Sequence, residues 1–268
     1  VTSIIILFII ILFSNLSSKS DENNIKYYSN DNGILSIMYH RFNESKYPST
    51  NIMMEIFEEH INIIDNSKYN FLNPNEFKAK FAISKLNKEI LITIDDAFES
   101  FYLEAWPFLK KNKIPFILFV STEPVGKSGY MDWDQIKEVS SFDFAYIGNH
   151  SHTHEYLLDF SHIEFEKDIK KSIKIFEENL GYNPIFFSYP FGEYNLKQTK
   201  FIKNNFKYGF GQHSGVIDST KNRFELPRFP INEKYGEHKR FTTITKTLPF
   251  KYKKIYPEEK FLSKSGNP

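Results

Sequence analysis

The chain contains no cysteine, and this absence narrows its chemistry. Disulfide bonds and thiolate catalysis are excluded, so any bound metal must be held by histidine or carboxylate side chains. An excess of charge is also absent, because 34 basic residues face 33 acidic ones and the formal net charge is +1. This balance gives no support to nucleic-acid binding. No internal repeat is visible, and 268 residues with 41% hydrophobic content suit a single α/β domain with one large core.

Long apolar runs are scarce, and the main one stands near the start of the sequence. Residues 4–13 are all apolar, but a membrane-spanning helix needs about 20 such residues, so the run matches the core of an export signal. We predict a signal peptide over 1–18 and a polar linker over 19–32. The alternatives are an uncleaved membrane anchor, with membrane association through 4–13, or a buried first strand. The expected location is the periplasm or cell envelope, and 33–268 form the predicted single domain.

Strand and helix patterns alternate from Gly33 onward, which predicts β/α units and a mainly parallel sheet. Helical patterns cover 53–65, 75–85, 106–111, 132–139 and 161–180. Strand patterns cover 34–39, 90–95, 115–120, 142–147, 185–189, 208–212 and 224–229. A count of about seven parallel strands predicts a distorted, closed or nearly closed (β/α) barrel.

Two adjacent carboxylates, Asp95 and Asp96, follow the apolar run Ile90–Ile94, which has the composition of a strand buried on both faces. Neighbouring carboxylates repel, so the pair requires a nearby cation or one raised pKa. This pattern favours a chemical role. The alternative is that one aspartate caps the next turn.

A histidine cluster follows a second apolar run, because His150, His152 and His154 lie within five residues. Imidazole is a common ligand of zinc-like metals, and the spacing of His150 and His154 places both on one side of a turn or loop. In a parallel barrel, residues at the C-terminal ends of different strands converge. The cluster, the aspartate pair and His40 all occupy such ends. This arrangement favours a metal-assisted hydrolase.

Four motifs resemble those of the polysaccharide deacetylase family, also called the NodB-homology family or carbohydrate esterase family 4. Thr93–Asp96 resembles its Thr-Phe-Asp-Asp motif, and His150–His154 resembles its His-Ser/Thr-x-x-His motif. Ser188–Asn195 resembles a third motif that usually begins with arginine, whose place Ser188 takes. Ile37–His40 resembles the form found in the circularly permuted branch, which includes exopolysaccharide deacetylases. The similarity covers roughly residues 33–230.

The resemblance implies a NodB-type barrel that removes acetyl groups from N-acetylglucosamine units of an acetylated glycan. Asp96, His150 and His154 would bind one divalent metal, with zinc as the first choice and cobalt, nickel or manganese as alternatives. Asp95 would be the base for the metal-bound water, and the Phe191 N–H would help hold the oxyanion.

His40 is expected to be the acid that protonates the leaving amine, with His213 as the other candidate. Arg228 is the candidate replacement for the missing motif arginine. The expected substrate-binding residues are Tyr189, His213 and Arg228, whereas His152 occupies a variable position of its motif.

Two other functions compete with deacetylation. The missing arginine raises the prospect of a catalytically silent, carbohydrate-binding relative, against which the intact aspartate and histidine pairs argue. A metal phosphoesterase would require more bridging carboxylates or a glycine-rich phosphate loop, and the sequence has neither.

Overall fold

The structure is a computed structural model that describes residues 27–28, 33–83, 88–245 and 250–251. The predicted leader over 1–18 lies outside these residues. Within the predicted linker over 19–32, Tyr27–Tyr28 pairs antiparallel with Phe250–Lys251. Among the described helices, none has the length and apolar character needed to cross a membrane.

A curled, mainly parallel sheet forms the centre of the molecule. Its strands are β1 Gly33–Tyr39, β2 Asn70–Phe71, β3 Lys88–Asp95, β4 Phe116–Val120, β5 Ala145–Asn149, β6 Phe186–Ser188, β7 Tyr208–Phe210, β8 Val216–Ile217 and β9 Phe229–Pro230. Their order in the sheet is β7-β6-β5-β4-β3-β1-β8, and in addition β9 pairs with β1 and β2 pairs with β3. The curled, mainly parallel sheet confirms the predicted distorted (β/α) barrel.

The alternation of side chains along β3 decides what faces the inside of the barrel. Successive side chains of a strand point to opposite faces, so Leu91, Thr93 and Asp95 share the inner face. Leu91 belongs to the inner cluster, with Phe119, Phe186 and Phe210. The intervening isoleucines of β3 belong to the outer cluster beneath the helices. Asp95 therefore projects into the barrel at the C-terminal end of β3.

The segment from Leu226 to Pro230 lies between the two ends of the sheet. Leu226 bridges to Phe210 on β7, and Phe229–Pro230 pairs in parallel with β1. The predicted continuous strand over 224–229 is therefore wrong, because this segment changes partners along its length. Its position brings Arg228 into the barrel interior, where the side chain is fully buried.

Helices cover the outside of the sheet. They are α1 Met54–Asp65, α2 Phe77–Ala82, α3 Trp106–Asn112, α4 Trp133–Ser140, α5 His162–Leu180, α6 Leu196–Asn205 and α7 His238–Thr245. The pattern analysis does not predict α6 or α7. The predicted start of α3 at Trp106 is confirmed, and a π-helical turn over Phe101–Ala105, which the pattern does not predict, precedes it.

The ends of α5 follow the predicted capping chemistry. Ser161 accepts from the Glu164 amide and the Glu164 carboxylate accepts from the Ser161 amide, which completes a capping box. Gly181 ends the helix with a φ of 79°, a left-handed conformation that glycine adopts without steric penalty. These local signals fix the position of a helix that contacts the histidine loop.

A buried histidine predicts a pH-dependent stability. His60 is fully buried, with Nδ1 3.0 Å from the Tyr39 hydroxyl and Nε2 2.9 Å from the Gly236 carbonyl. A carbonyl only accepts, so Nε2 carries the proton and Nδ1 accepts from Tyr39. Burial lowers the pKa of His60 from 6.5 to about 4, although the Gly236 hydrogen bond opposes this change.

Because the pKa is lower in the folded state, the unfolded chain binds the proton first as the pH falls. We expect the free energy of unfolding to fall by up to about 3 kcal/mol between pH 6.5 and pH 4 through this residue. Urea unfolding of the wild type and His60→Gln across this range measures the effect. An identical pH slope in both proteins would contradict it.

Candidate metal centre and active site

Three side chains that can bind a metal meet at the C-terminal ends of β3 and β5. Asp96 Oδ1 lies 2.9 Å from His154 Nε2 and 3.4 Å from His150 Nε2. One ligand atom from each residue falls within 4.8 Å of the others. Asp96 and His150 are buried, whereas His154 is partly exposed. The site therefore opens to solvent on the His154 side.

The state of these atoms fits a divalent cation. Asp96 Oδ1 is buried and has no partner with hydrogen-bond geometry among the described residues. His150 Nδ1 donates to the Ser188 carbonyl at 2.8 Å, so Nε2 is unprotonated and its lone pair is directed toward Asp96. Two imidazole nitrogens and one carboxylate oxygen form a donor set that zinc accepts, with room for substrate.

Asp95 is held by Arg228 rather than by a metal ligand. The five hydrogen bonds of the guanidinium match its five N–H groups, and two of them reach the two oxygens of Asp95 at 2.7 and 2.8 Å. The others reach the Gly211 carbonyl, Thr93 Oγ1 and Ser188 Oγ. Both charged side chains are fully buried, so the pair depends on this complete set of partners.

The pKa values follow from burial and from neighbouring charge. Burial raises the pKa of Asp95, but the charge and hydrogen bonds of the Arg228 guanidinium outweigh burial and hold it below its ordinary value. Burial also raises the pKa of Asp96, and the contact with His154 reverses that change. Burial lowers the pKa of His150 to about 4. Both carboxylates are therefore charged and His150 is neutral at pH 7.

His40 lies near the same carboxylates. Electrostatic interaction with His40 is one of the smaller causes that lower the pKa values of Asp95 and Asp96. His40 is half-buried, and its Nδ1 atom is buried without a hydrogen-bond partner among the described residues. The tertiary structure therefore places His40, the last residue of the motif that resembles the permuted branch, near the predicted site.

Phe191 forms one side of the opening. Its φ of 58° is unusual for a residue other than glycine, and its side chain is 51% exposed. The ring centroid lies 5.1 Å from that of His154 and 5.9 Å from that of Tyr156. The Phe191 backbone is therefore beside a candidate metal ligand, as the predicted role of its N–H requires.

Two predicted substrate-binding side chains lie elsewhere. Tyr189 is fully buried against Phe187 and Tyr194, so the prediction that its side chain binds substrate is wrong. Arg228 is fully buried against Asp95, and the same correction applies to it. Tyr189 lies two residues after Phe187, so both side chains point to the same face and pack outside the barrel. The Arg228 side chain lies in the interior.

His213 and His152 have different surroundings. His213 is half-buried, and its carbonyl accepts from the Arg228 amide, so it adjoins the Arg228 segment. His152 is 7% exposed, and its Nδ1 lies 2.8 Å from the Thr122 hydroxyl. His152 points away from the three candidate ligands into a structural contact.

Pattern reasoning missed the residues that support the histidine loop, namely Asn149, Asp168 and Ser172. Asp168 and Ser172 are buried on the sheet-facing side of α5. Polar residues in phase with the apolar positions Phe165 and Phe176 are the signal that could have identified them.

Comparison with known proteins supports this description. The sequence profile described as "Polysaccharide deacetylase" matches residues 82–209. A curated poly-beta-1,6-N-acetyl-D-glucosamine N-deacetylase from Staphylococcus aureus (strain MSSA476) is 25% identical and covers 84% of this chain and 87% of its own. The Staphylococcus epidermidis protein with the same description is also 25% identical and covers 82% of this chain and 86% of its own.

Solved structures share the fold. IcaB from Ammonifex degensii has a TM-score of 0.72 at 24% identity and covers 80% of this chain and 97% of its own. The Streptococcus pyogenes deacetylase PplD, solved with acetate, has a TM-score of 0.71 at 22% identity and covers 80% and 98%.

The barrel, the paired aspartates and the histidine loop define a hydrolase of the polysaccharide de-N-acetylase class. The profile match, the curated relatives and the shared fold together support a polysaccharide deacetylase.

Proposed function

We propose that this protein removes N-acetyl groups from a β-1,6-linked N-acetylglucosamine polymer with the help of one divalent metal. The main support for this proposal is that two adjacent aspartates at one end of the barrel have separate partners. Asp96 shares its space with His150 and His154, while Asp95 is paired with Arg228. The polymer comes from the printed descriptions of the curated relatives, which the chain matches over most of their length.

The chemistry divides among the chain's own groups. Asp96, His150 and His154 would hold the metal, for which zinc is the first choice. When bound, a divalent ion polarises the acetamide carbonyl and lowers the pKa of the attacking water. Asp95 accepts the proton of that water, and the Phe191 N–H donates to the developing oxyanion. His40 then donates a proton to the leaving amine.

The competing function, a silent carbohydrate-binding relative, loses its main support. That alternative rests on the serine at position 188, where the family motif has arginine. Arg228 contacts both oxygens of Asp95, and Ser188 Oγ accepts from the same guanidinium at 2.7 Å. These contacts support the proposal that Arg228, from a different segment, takes the role of the missing motif arginine.

A product assay tests the proposed function. The purified chain is incubated with acetylated β-1,6-linked and β-1,4-linked N-acetylglucosamine oligomers and with peptidoglycan, and released acetate and free amines are quantified by mass spectrometry. We expect release from the β-1,6 oligomer, loss of activity with a chelator, and recovery with added zinc or cobalt. Binding of the oligomer without acetate release under every metal condition would support the silent relative instead.

The location of the activity is a separate proposal. We propose that the chain acts outside the cytoplasm, because residues 4–13 have the length and apolar character of a signal-peptide core. Fractionation of cells expressing the full chain tests this, and recovery in the cytoplasm alone would contradict it.

The proton donor can be identified by a pair of variants. His150 and His154 are occupied in the proposed metal complex, so the leaving amine needs another histidine. We expect His40→Ala to keep the fold and the ion and to lower kcat about 10²–10⁴-fold. His213→Ala should be much less affected. Near-wild-type turnover by His40→Ala together with an inactive His213→Ala would transfer the role to His213.

A further inference from the structure

A carboxylate outside the metal site accepts hydrogen bonds from the loop that carries both candidate histidine ligands. We infer that Asp168 is a positioning residue that keeps residues 150–154, here called the ligand loop, in their metal-binding shape. This inference rests on the proposed function, because it concerns the same metal site. Asp168 itself does not reach the site: its contacts are with the middle of the loop.

The ligand loop has a conformation that its sequence does not favour. Ser151 has a φ of 71° and His154 a φ of 59°, and neither is glycine. Left-handed backbone at such residues persists only where the surroundings determine it. The two strained residues flank His152 and Thr153, so the central part of the loop is where support is needed.

Asp168 supplies that support through three hydrogen bonds. Its Oδ1 accepts from the His152 amide at 2.8 Å. Its Oδ2 accepts from the Thr153 amide at 3.0 Å and from the Thr153 hydroxyl at 2.7 Å. The side chain is only 5% exposed, so water does not readily replace these contacts. Hydrogen bonds to a charged acceptor are stronger than neutral ones.

A second contact one turn along α5 supports the start of the loop. Ser172 and the Asn149 side chain hydrogen-bond to each other at 2.8 and 3.1 Å, and Asn149 Oδ1 accepts from the Ser151 amide at 2.9 Å. Residues four apart lie on one face of a helix, so Asp168 and Ser172 approach the loop together. One face of α5 therefore supports both the start and the middle of the ligand loop.

The two histidines depend on this support to different degrees. The His150 ring is fixed independently by the Ser188 carbonyl. The His154 amide donates to Ser151 Oγ within the loop, so the position of His154 follows the loop backbone. Loss of the Asp168 contacts should move His154 away from Asp96 and leave His150 in place. A three-ligand site would then act as a two-ligand site.

The test is the metal affinity of Asp168→Asn. The amide group can replace at most one acceptor oxygen, and its NH₂ group would face N–H donors. We expect zinc affinity, measured by competition with a chelating dye, to fall about 10- to 100-fold, the range found for residues that orient metal ligands. Hydrogen exchange at the His152 and Thr153 amides should accelerate in the same variant.

Two control variants separate positioning from general stability. Glu178→Gln removes a carboxylate from the exposed side of α5 and should leave the affinity unchanged. Ile169→Val, a change at the buried residue next to Asp168, weakens the core without touching the loop. A merely structural Asp168 would lower stability as Ile169→Val does and leave zinc affinity at the wild-type value.

Thr153→Val provides a milder variant if Asp168→Asn does not fold. It removes one of the three hydrogen bonds and keeps the side-chain shape, so we expect a smaller loss of affinity in the same direction. Wild-type zinc affinity in a folded Asp168→Asn, or in Thr153→Val when that is the folded variant, would overturn the inference. A wild-type chain that binds no divalent metal would instead overturn the proposed function itself.

Discussion

Purified Asp96→Asn is expected to contain no stoichiometric divalent metal, whereas Asp95→Asn is expected to keep the metal and lose turnover. The two aspartates are adjacent in sequence but have different partners. Asp96 Oδ1 faces His154 and His150, and Asp95 is bound at both oxygens by Arg228. Removal of a charged ligand from a three-residue site should weaken metal binding more than about 100-fold, since changes to supporting residues alone cost about 10–100-fold.

The effect of Asp95→Asn is on the chemical step. Asparagine cannot accept the proton of the attacking water, so kcat should fall about 10²–10⁴-fold. Metal content by elemental analysis and acetate release by a coupled assay distinguish the two variants. Asp134→Asn, a change at a side chain that is 95% exposed, is the matched control and should alter neither quantity. The reverse pattern, with metal lost in Asp95→Asn alone, would exchange the two roles.

The second large effect is expected at Arg228. Arg228→Met should lower the free energy of unfolding by about 3–5 kcal/mol, because removal of one partner leaves a buried charge without compensation. The ion pair is fully buried on both sides, and the same guanidinium also binds Gly211, Thr93 and Ser188. Urea unfolding at pH 7 measures the loss. Arg223→Met, at an exposed position three residues before the segment that carries Arg228, should be close to wild type.

The pH dependence gives a sharper result for the same variant. In the wild type the pKa of Asp95 is held low, so this residue contributes stability at neutral pH that is lost as the pH falls through its folded pKa. Without Arg228 the effect of burial dominates and raises that pKa. The stability deficit of Arg228→Met relative to the wild type should therefore shrink as the pH falls from 7 toward 5, and the acidic limb of kcat should move to higher pH.

A double-mutant cycle checks that these effects arise from the pair. If Asp95 and Arg228 act together, Asp95→Asn should destabilise the Arg228→Met background far less than it destabilises the wild type. Additive losses would show that Arg228 acts on stability through its other contacts. Retained turnover in Arg228→Met would contradict its positioning role for Asp95.

Local sequence rules predict the parts of the site that lie on regular elements. The mostly apolar, β-branched run of β3 predicts a buried strand that delivers Asp95 to one end of the sheet. The capping box at Ser161 and Glu164 predicts the start of α5, and the structure has both hydrogen bonds. The spacing of His150 and His154 predicts a shared ligand site, and their nitrogens do approach Asp96. Each of these signals involves residues close together in the chain.

The parts that were missed depend on contacts between distant segments. Tyr189 belongs to a recognisable motif, but its ring packs with Phe187 and Tyr194 in the cluster outside the barrel. The strand over 224–229 was expected from its composition, whereas the chain there bridges Phe210 and then pairs with β1. Composition does not determine which strand edges are available.

The sequence by itself determined the residue types of the site, the alternation of strands and helices that predicts a barrel, and the resemblance to polysaccharide deacetylases. Only the tertiary structure decided that Arg228 neutralises Asp95 and that Asp168 supports the ligand loop. The physical reason is that a buried charge must find its partner in space. Arg228 lies 133 residues from Asp95 along the chain, and the curvature of the sheet closes that distance to 2.7 Å.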